Sequence, residues 1–151
     1  KYTNIKNLIC YDIDKTSLLN CQKNFIANSL PTNLKLLNKK FNIEDLKVIG
    51  NKCLIIIDIE GGEYNLINKE YLEYIYKNNH LMCVELHDYK KSENFINIIK
   101  EYGFDYKIIN KSLKSINYKC DLKYFNENEF LLLASEGRCK YQEWIIFSKD
   151  D

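Results

Sequence analysis

Acidic side chains and one histidine follow three apolar runs of the sequence, at the points where buried strands would end. A carboxylate at the end of a parallel strand can accept hydrogen bonds from both hydroxyls of a ribose. The same residue types also cap helices and favour the positive end of a helix dipole. For Asp14 and Glu63, which stand at expected helix starts, the two interpretations are equally good. The residues concerned are Asp12, Asp14, Asp58, Glu60, Glu63, Glu85, His87 and Asp88.

Residues 57–63, Ile-Asp-Ile-Glu-Gly-Gly-Glu, carry the most specific pattern in the chain. Glycine adopts left-handed backbone angles without steric cost, so this pair suits a tight turn between a strand and a helix and lets the backbone approach a ligand closely. A plain turn would need the glycines but not the three carboxylates around them. The pattern therefore indicates a ligand site.

Residues 55–63 and 84–88 resemble the FkbM-like class I S-adenosylmethionine-dependent methyltransferases. In that family an apolar strand leads into Asp-(Val/Ile)-Glu-Gly-x-Glu and a helix, and the next strand ends Val-Glu-(Leu/Ile)-His; here it reads Val-Glu-Leu-His-Asp. Residues 10–14 look like the family's second strand, and Glu-Gly-Arg at 136–138 with Trp144 resembles a late family pattern. The resemblance implies a Rossmann-like fold, S-adenosylmethionine as cofactor, and O-methylation of a small molecule or glycan.

The resemblance also implies roles for individual residues. Asp12 matches the acid that binds the cofactor ribose, and Asp58 and Glu60 fall near the methionine end of the cofactor. His87 and Glu60 are the implied catalytic residues, with His87 as the base that takes a proton from the acceptor hydroxyl. Asp88 would orient the His87 ring or bind substrate. Without the resemblance, a strand-end histidine satisfied by backbone groups is the better interpretation of His87.

A metal site is a weaker hypothesis for the same region. Carboxylate and imidazole ligands from Glu60, Glu85, His87 and Asp88 would suit Mg²⁺ or Mn²⁺. Their spacing fixes no coordination geometry, so we expect no metal site.

Alternating apolar runs and helical patterns predict the elements that position these residues. We expect strands at 7–11, 33–37, 53–58, 81–86 and 104–109, and helices at 15–29, at 64–77 and from an N-cap at Ser92 to Gly103. The third strand should be central, because both of its faces are apolar. Further strands at 130–134 and 144–147 should add antiparallel at an edge. The fold class is α/β, a Rossmann-like, mostly parallel sheet with helices on both faces and an antiparallel edge strand near the C-terminus.

One element of the resembled family has no counterpart in the sequence. Such methyltransferases begin with a strand and a Gly-rich loop, yet the five glycines of this chain form no G-x-G motif. In the family's strand order, 3-2-1-4-5-7-6, strand 1 lies between strands 2 and 4. We therefore expect residues 1–151 to be a fragment, the C-terminal part of a single methyltransferase domain.

The composition of the chain restricts which binding partners and which cellular compartment we expect for the protein. The 151 residues have a formal net charge of +1 and a single arginine, Arg138, which gives no basic footprint for nucleic acid. No apolar run approaches 18 residues, so we expect no membrane partner. The six cysteines show no C-x₂₋₄-C spacing, and four of them stand in apolar runs or on a helical face, which favours a reducing, cytoplasmic location.

Two alternatives remain open. Residues 8–16 also fit the first motif of haloacid dehalogenase-like phosphatases, in which Asp12 would be the nucleophile and Asp14 the acid/base, with Mg²⁺ as cofactor. That interpretation leaves residues 57–63 and 84–88 unexplained. The other alternative is a non-catalytic, degenerate methyltransferase-like module that binds a partner.

Overall fold

The computed structural model describes residues 6–30, 33–110 and 143–149. The chain divides into two compact units, Lys1–Val48 and Ile49–Asp151. The strand expected at 130–134 and the Glu-Gly-Arg pattern at 136–138 lie outside the described residues. The expectation of a single domain stays a prediction.

Over residues 6–30 and 33–48, the first unit is a pair of parallel strands with two helices. The strands pair in register, from Asn7 opposite Asn33 to Asp12 opposite Asn38. The second helix was not predicted from the sequence; it begins after Asn42, whose side-chain oxygen accepts hydrogen bonds from the next turn's backbone N–H groups. The elements are β1 (Asn7–Asp12), α1 (Lys15–Ala27), β2 (Asn33–Asn38) and α2 (Ile43–Val48).

The second unit is a four-stranded mixed sheet with three helices among the described residues. Its elements are β3 (Leu54–Ile57), α3 (Glu63–Leu66), α4 (Lys69–Asn78), β4 (Leu81–Leu86), α5 (Tyr89–Glu101), β5 (Phe104–Asn110) and β6 (Glu143–Lys149). The strand order is β3-β4-β6-β5; β3 and β4 are parallel, and β6 is antiparallel to both of its neighbours. Parallel pairs with intervening helices in both units confirm the predicted α/β class.

The antiparallel strand does not lie where the sequence places it. We expected it at an edge, but β6 lies inside the sheet, between β4 and β5. The reason is burial: Ile145 and Phe147 of β6 are almost fully buried, and the Phe147 ring packs edge-on against Phe95 and Phe104. An edge position would leave part of this apolar surface in water.

The strand β3 is also not central within the described residues. It pairs with β4 on one side only, and its side chains alternate between buried and exposed. Ile55 and Ile57 are buried, whereas Leu54 and Ile56 are 55% and 63% exposed. One apolar face of β3 therefore packs on the core, and the other is open among the residues described.

The helix expected over 64–77 is two helices. α3 ends at Leu66, and α4 starts after Asn68, whose Oδ1 accepts a hydrogen bond from Tyr71 N at 3.2 Å. The apolar spacing continues through the break, so periodicity alone does not show it. α4 buries Tyr71, Leu72 and Ile75 in the core of the second unit.

Removing the cap at Asn68 tests this helix start. We expect Asn68→Ala to lower the free energy of unfolding by about 1 kcal/mol, because loss of an N-cap acceptor costs about 0.5–2 kcal/mol. Asn68→Ser, which keeps an acceptor, should lie close to the wild type. Urea denaturation followed by far-UV circular dichroism measures both; an alanine variant as stable as the serine variant would contradict the cap.

α5 begins earlier than the sequence predicts. Its N-cap is Asp88, whose Oδ1 accepts a hydrogen bond from Lys91 N at 3.1 Å, so Ser92 lies inside the helix.

Within the described ranges, no helix combines the length and apolar character needed to cross a membrane.

Candidate active site

His87 lies just beyond the end of β4, among four carboxylates. Its Nδ1 is 3.0 Å from Glu63 Oε1. On the other side of the ring, Nε2 is 3.6 Å from both Asp58 Oδ1 and Glu60 Oε2 and 3.7 Å from Glu85 Oε2. The carboxyl ends of the parallel strands β3 and β4 meet at this point, so residues far apart in the sequence converge. We call these five residues the His87 cluster.

Glu63 fixes the orientation of the histidine ring. Its side chain is fully buried, and both of its oxygens are used: Oε1 faces His87 Nδ1, and Oε2 accepts a hydrogen bond from Gly61 N at 2.9 Å. A carboxylate can only accept, so Nδ1 carries the hydrogen of the neutral ring. The lone pair of that tautomer is then on Nε2.

The lone pair on Nε2 has no hydrogen-bond donor. Nε2 is buried from solvent and has no hydrogen-bond partner among the described residues. Its neighbours in the cluster are carboxylate oxygens at 3.6 Å or more, beyond hydrogen-bond distance. Asp58 and Glu60 are 44% and 61% exposed, so the carboxylates beside Nε2 reach solvent although Nε2 itself does not. The arrangement can take up a proton or ligate a cation.

Tyr64 fixes the backbone on which His87 stands. Its hydroxyl oxygen accepts hydrogen bonds from the N–H groups of His87 and Asp88, both at 3.1 Å, and lies 2.9 Å from Ser92 Oγ. Ser92 Oγ donates in turn to the carbonyl of Asp88 at 2.6 Å. The sequence predicts only an apolar helix face for Tyr64, and no sequence signal connects it to His87.

The turn that carries the acids is held in an unusual backbone conformation. Glu60 has φ +55° and Gly61 has φ +94°, so two successive residues adopt left-handed angles. Glycine meets this requirement at 61 without cost, whereas Glu60 pays a small conformational penalty. The predicted strand-to-helix turn is therefore present, and it places Asp58 and Glu60 beside the His87 ring.

Asp88 does not orient the ring. We expected it to position His87 or to bind substrate, but its carboxylate caps α5 through Lys91 N and lies 4.0 Å from Lys91 Nζ. Although Asp88 is adjacent to His87 in the sequence, its side chain binds the first turn of α5. Glu63 orients the ring instead.

Asp12 and Asp14 lie in the first unit, at the turn from β1 to α1. Asp12 Oδ1 accepts a hydrogen bond from Asp14 N at 2.8 Å, and Asn38 Nδ2 donates to the carbonyls of Asp12 and Ile13. The Asp14 carboxylate caps α1, and hydrogen bonds from the Thr16 N–H and the Ser17 side chain lower its pKa. The helix-cap interpretation of Asp14 is therefore confirmed, and a lowered pKa disfavours the proton-donor role that the phosphatase alternative gives it.

Solved structures of other proteins share this fold. An rRNA methylase from Streptococcus thermophilus aligns over 96% of this chain and 74% of its own, at a TM-score of 0.58 and 13% identity. The fold is that of the Rossmann-like methyltransferases. The METTL16 methyltransferase domain aligns over 93% of this chain and 61% of its own, at a TM-score of 0.51 and 12% identity.

A precorrin 8W decarboxylase from Methanobacterium thermoautotrophicum shares the Rossmann-like methyltransferase fold as well. It aligns over 96% of this chain and 70% of its own, at a TM-score of 0.59 and 14% identity. The sequence matches no protein-family model and no curated protein. At these identities the likeness concerns the fold, and function has to be argued from the site.

The order of the described strands agrees with the Rossmann-like methyltransferase topology. If β1 corresponds to strand 2 of the order 3-2-1-4-5-7-6, the second unit should read 4-5-7-6, and its observed order β3-β4-β6-β5 does so. The pair β1-β2 likewise matches the neighbours 2 and 3. No described strand corresponds to strand 1.

Proposed function

We propose that this chain is an S-adenosylmethionine-dependent methyltransferase that transfers a methyl group to a hydroxyl oxygen of a small molecule or glycan. The observation that carries the proposal is His87, held through Nδ1 by a buried carboxylate with the lone pair of Nε2 directed toward Asp58 and Glu60, in a methyltransferase fold. A base in this position suits an acceptor that loses a proton as it is methylated.

Two features of the chain fit the cofactor. S-adenosylmethionine carries ribose hydroxyls, and Asp12 offers them a half-buried carboxylate at the end of β1 with one oxygen already anchored by Asp14 N. Its methionine end carries an ammonium group, and the partly exposed Asp58 offers that group negative charge. Ion pairs and charge-assisted hydrogen bonds of this kind are the stronger polar contacts in binding sites.

The chain's own residues would act on the acceptor. The cofactor, when bound, supplies a methyl group on a positively charged sulfur. His87 Nε2 takes the proton of the acceptor hydroxyl, and Glu63 stabilises the resulting imidazolium through Nδ1. Glu60 lies 3.6 Å from Nε2 and adds to that stabilisation. Tyr64 keeps the ring in place by binding the His87 N–H. Most of the acceleration comes from holding the two reactants in line.

We infer the class of the methyl acceptor from the net charge of the chain. A net charge of +1 with one arginine gives little attraction for a polyanion, so we propose a small molecule or glycan and neither a nucleic acid nor a membrane as partner. We propose a cytoplasmic location on the cysteine usage of the sequence. An RNA acceptor is the competing outcome, and incubation with methyl-labelled cofactor and either RNA or hydroxylated small molecules distinguishes the two.

Calorimetry tests the ribose assignment of Asp12. We expect Asp12→Ala to weaken S-adenosylmethionine binding by about 5- to 150-fold, because a hydrogen bond to a charged group contributes about 1–3 kcal/mol and 1.4 kcal/mol is tenfold. The control is Glu44→Ala, an exposed acid in the same unit that should bind as the wild type does. Unchanged affinity in Asp12→Ala would refute the ribose assignment.

A further inference from the structure

The geometry points to a divalent-cation site at the His87 cluster, with Asp58 Oδ1, Glu60 Oε2 and His87 Nε2 as its protein ligands. The potential ligand atoms of these three residues all lie within 4.8 Å of one another. We expected no metal site from the sequence, because the spacing of its acids and histidine fixes no geometry. The folded arrangement brings three side chains together: it drops Asp88, which caps a helix, and Glu85, which lies deeper, and it adds Asp58.

The unsatisfied nitrogen is the observation that separates this cluster from an ordinary acidic surface. The His87 side chain is about nine-tenths buried, at 11% exposure, and its Nε2 has no hydrogen-bond partner in the part of the chain that the structure describes. That nitrogen faces carboxylate oxygens, which cannot donate a hydrogen bond to its lone pair. A cation between them would satisfy the nitrogen and reduce the repulsion among the acids.

The other side of the ring has the support that metal-binding histidines need. A ligating imidazole almost always gives its second N–H to a carboxylate or a carbonyl, which fixes the tautomer and makes the free nitrogen a better ligand. Glu63 does this here, at 3.0 Å and with no exposure of its own. Glu63 is in turn fixed by Gly61 N at 2.9 Å, so the ligand is oriented before an ion arrives.

Distances and access suit a hard, oxygen-preferring ion. Adjacent ligands around an octahedral ion at about 2.1 Å lie about 3.0 Å apart. The two Nε2-to-oxygen distances are 3.6 Å, so Asp58 and Glu60 must move closer to Nε2 to share one ion with it. Both side chains reach solvent, which leaves an entry path and room for water ligands. Two carboxylates with one imidazole favour Mn²⁺ or Mg²⁺ over the softer metals.

This site goes beyond methyl transfer and does not depend on it. A cation on Nε2 would occupy the lone pair that takes up the acceptor proton in the proposed reaction, so one ring cannot serve both at the same moment. Binding is therefore measured directly, without cofactor or acceptor.

Manganese titration of the full chain tests the site. We expect the electron paramagnetic resonance signal of free Mn²⁺ to fall until one ion is bound per chain, and the His87 ring signals to broaden in NMR spectra. Asp58→Asn and Glu60→Gln should each weaken binding at least tenfold. Glu63→Gln should weaken it by about 10- to 100-fold through the orientation of the ring. The control is Asp105→Asn, an exposed acid on β5.

The test has clear contrary results. An absence of Mn²⁺ binding at about 1 mM, the weak end of specific affinities, would overturn the site. So would binding that survives both Asp58→Asn and Glu60→Gln unchanged, because the ion would then be held elsewhere. These two variants alter partly exposed side chains, so loss of folding is not expected to obscure the result.

Discussion

Replacing His87 with glutamine is expected to lower kcat for methyl transfer by about 10²- to 10⁴-fold, the usual contribution of a positioned general base. Glutamine is similar in size but cannot take up a proton at neutral pH. S-adenosylmethionine affinity should change little, because the assignment gives the cofactor contacts to Asp12 and Asp58. Single-turnover kinetics with methyl-labelled cofactor and an accepted hydroxyl compound measure the chemical step, and calorimetry measures the affinity.

His80 provides the matched control for this prediction. It is fully buried, its Nδ1 accepts a hydrogen bond from Cys53 N at 3.2 Å, and burial lowers its pKa. His80→Gln should therefore reduce stability and leave kcat of the folded protein unchanged. A His87→Gln variant with wild-type kcat would refute the base assignment, and an equal loss of kcat in both variants would indicate damage to the fold.

Removing the carboxylate of Glu63 is expected to have the largest effect on stability within the site. Glu63→Ala leaves two part-buried donors, His87 Nδ1–H and Gly61 N–H, without their acceptor. An unsatisfied donor shielded from water costs about 1–3 kcal/mol, so the unfolding free energy should fall by about 2 kcal/mol. Glu63→Gln keeps one acceptor oxygen and should lose less. Urea denaturation measures both variants.

Glu63→Gln also tests whether Glu63 orients the His87 ring for methyl transfer, beyond its effect on protein stability. In Glu63→Gln the ring is no longer held by a charged acceptor, so kcat for methyl transfer should fall together with the free energy of unfolding. The control is Glu101→Ala, an exposed acid at the end of α5, which should change neither quantity. If Glu63→Ala unfolds within about 0.5 kcal/mol of wild type, the range of ordinary surface substitutions, the buried contact is not as described.

Much of the fold could be predicted from short apolar runs. The strand at 81–86 stands out as a short, mostly apolar run, and the strand at 104–109 stands out because aromatic and β-branched residues cluster directly after Gly103. The break at Asn68 was missed because the apolar spacing runs through it, and only the cap interrupts the backbone. The interior position of β6 was missed because strand order depends on packing between distant segments, here Phe147 against Phe95 and Phe104.

Part of the candidate site was predictable from the rule that ligands bind at the carboxyl ends of parallel strands. Side chains after β3 and β4 should meet, and Asp58, Glu60 and His87 do. The supporting contacts were not predictable in the same way. The choice of Glu63 over Asp88 as the partner of the ring depends on side-chain direction across two elements, and a sequence pattern does not record that direction.

The tautomer of His87 is the arrangement on which both proposals rest, and long-range ¹H–¹⁵N NMR of the ring observes it directly. At a pH where the ring is neutral, Nδ1 should show the shift of a protonated nitrogen and Nε2 that of a bare one. A ring protonated on Nε2 would contradict the proposed base and the proposed cation ligand alike.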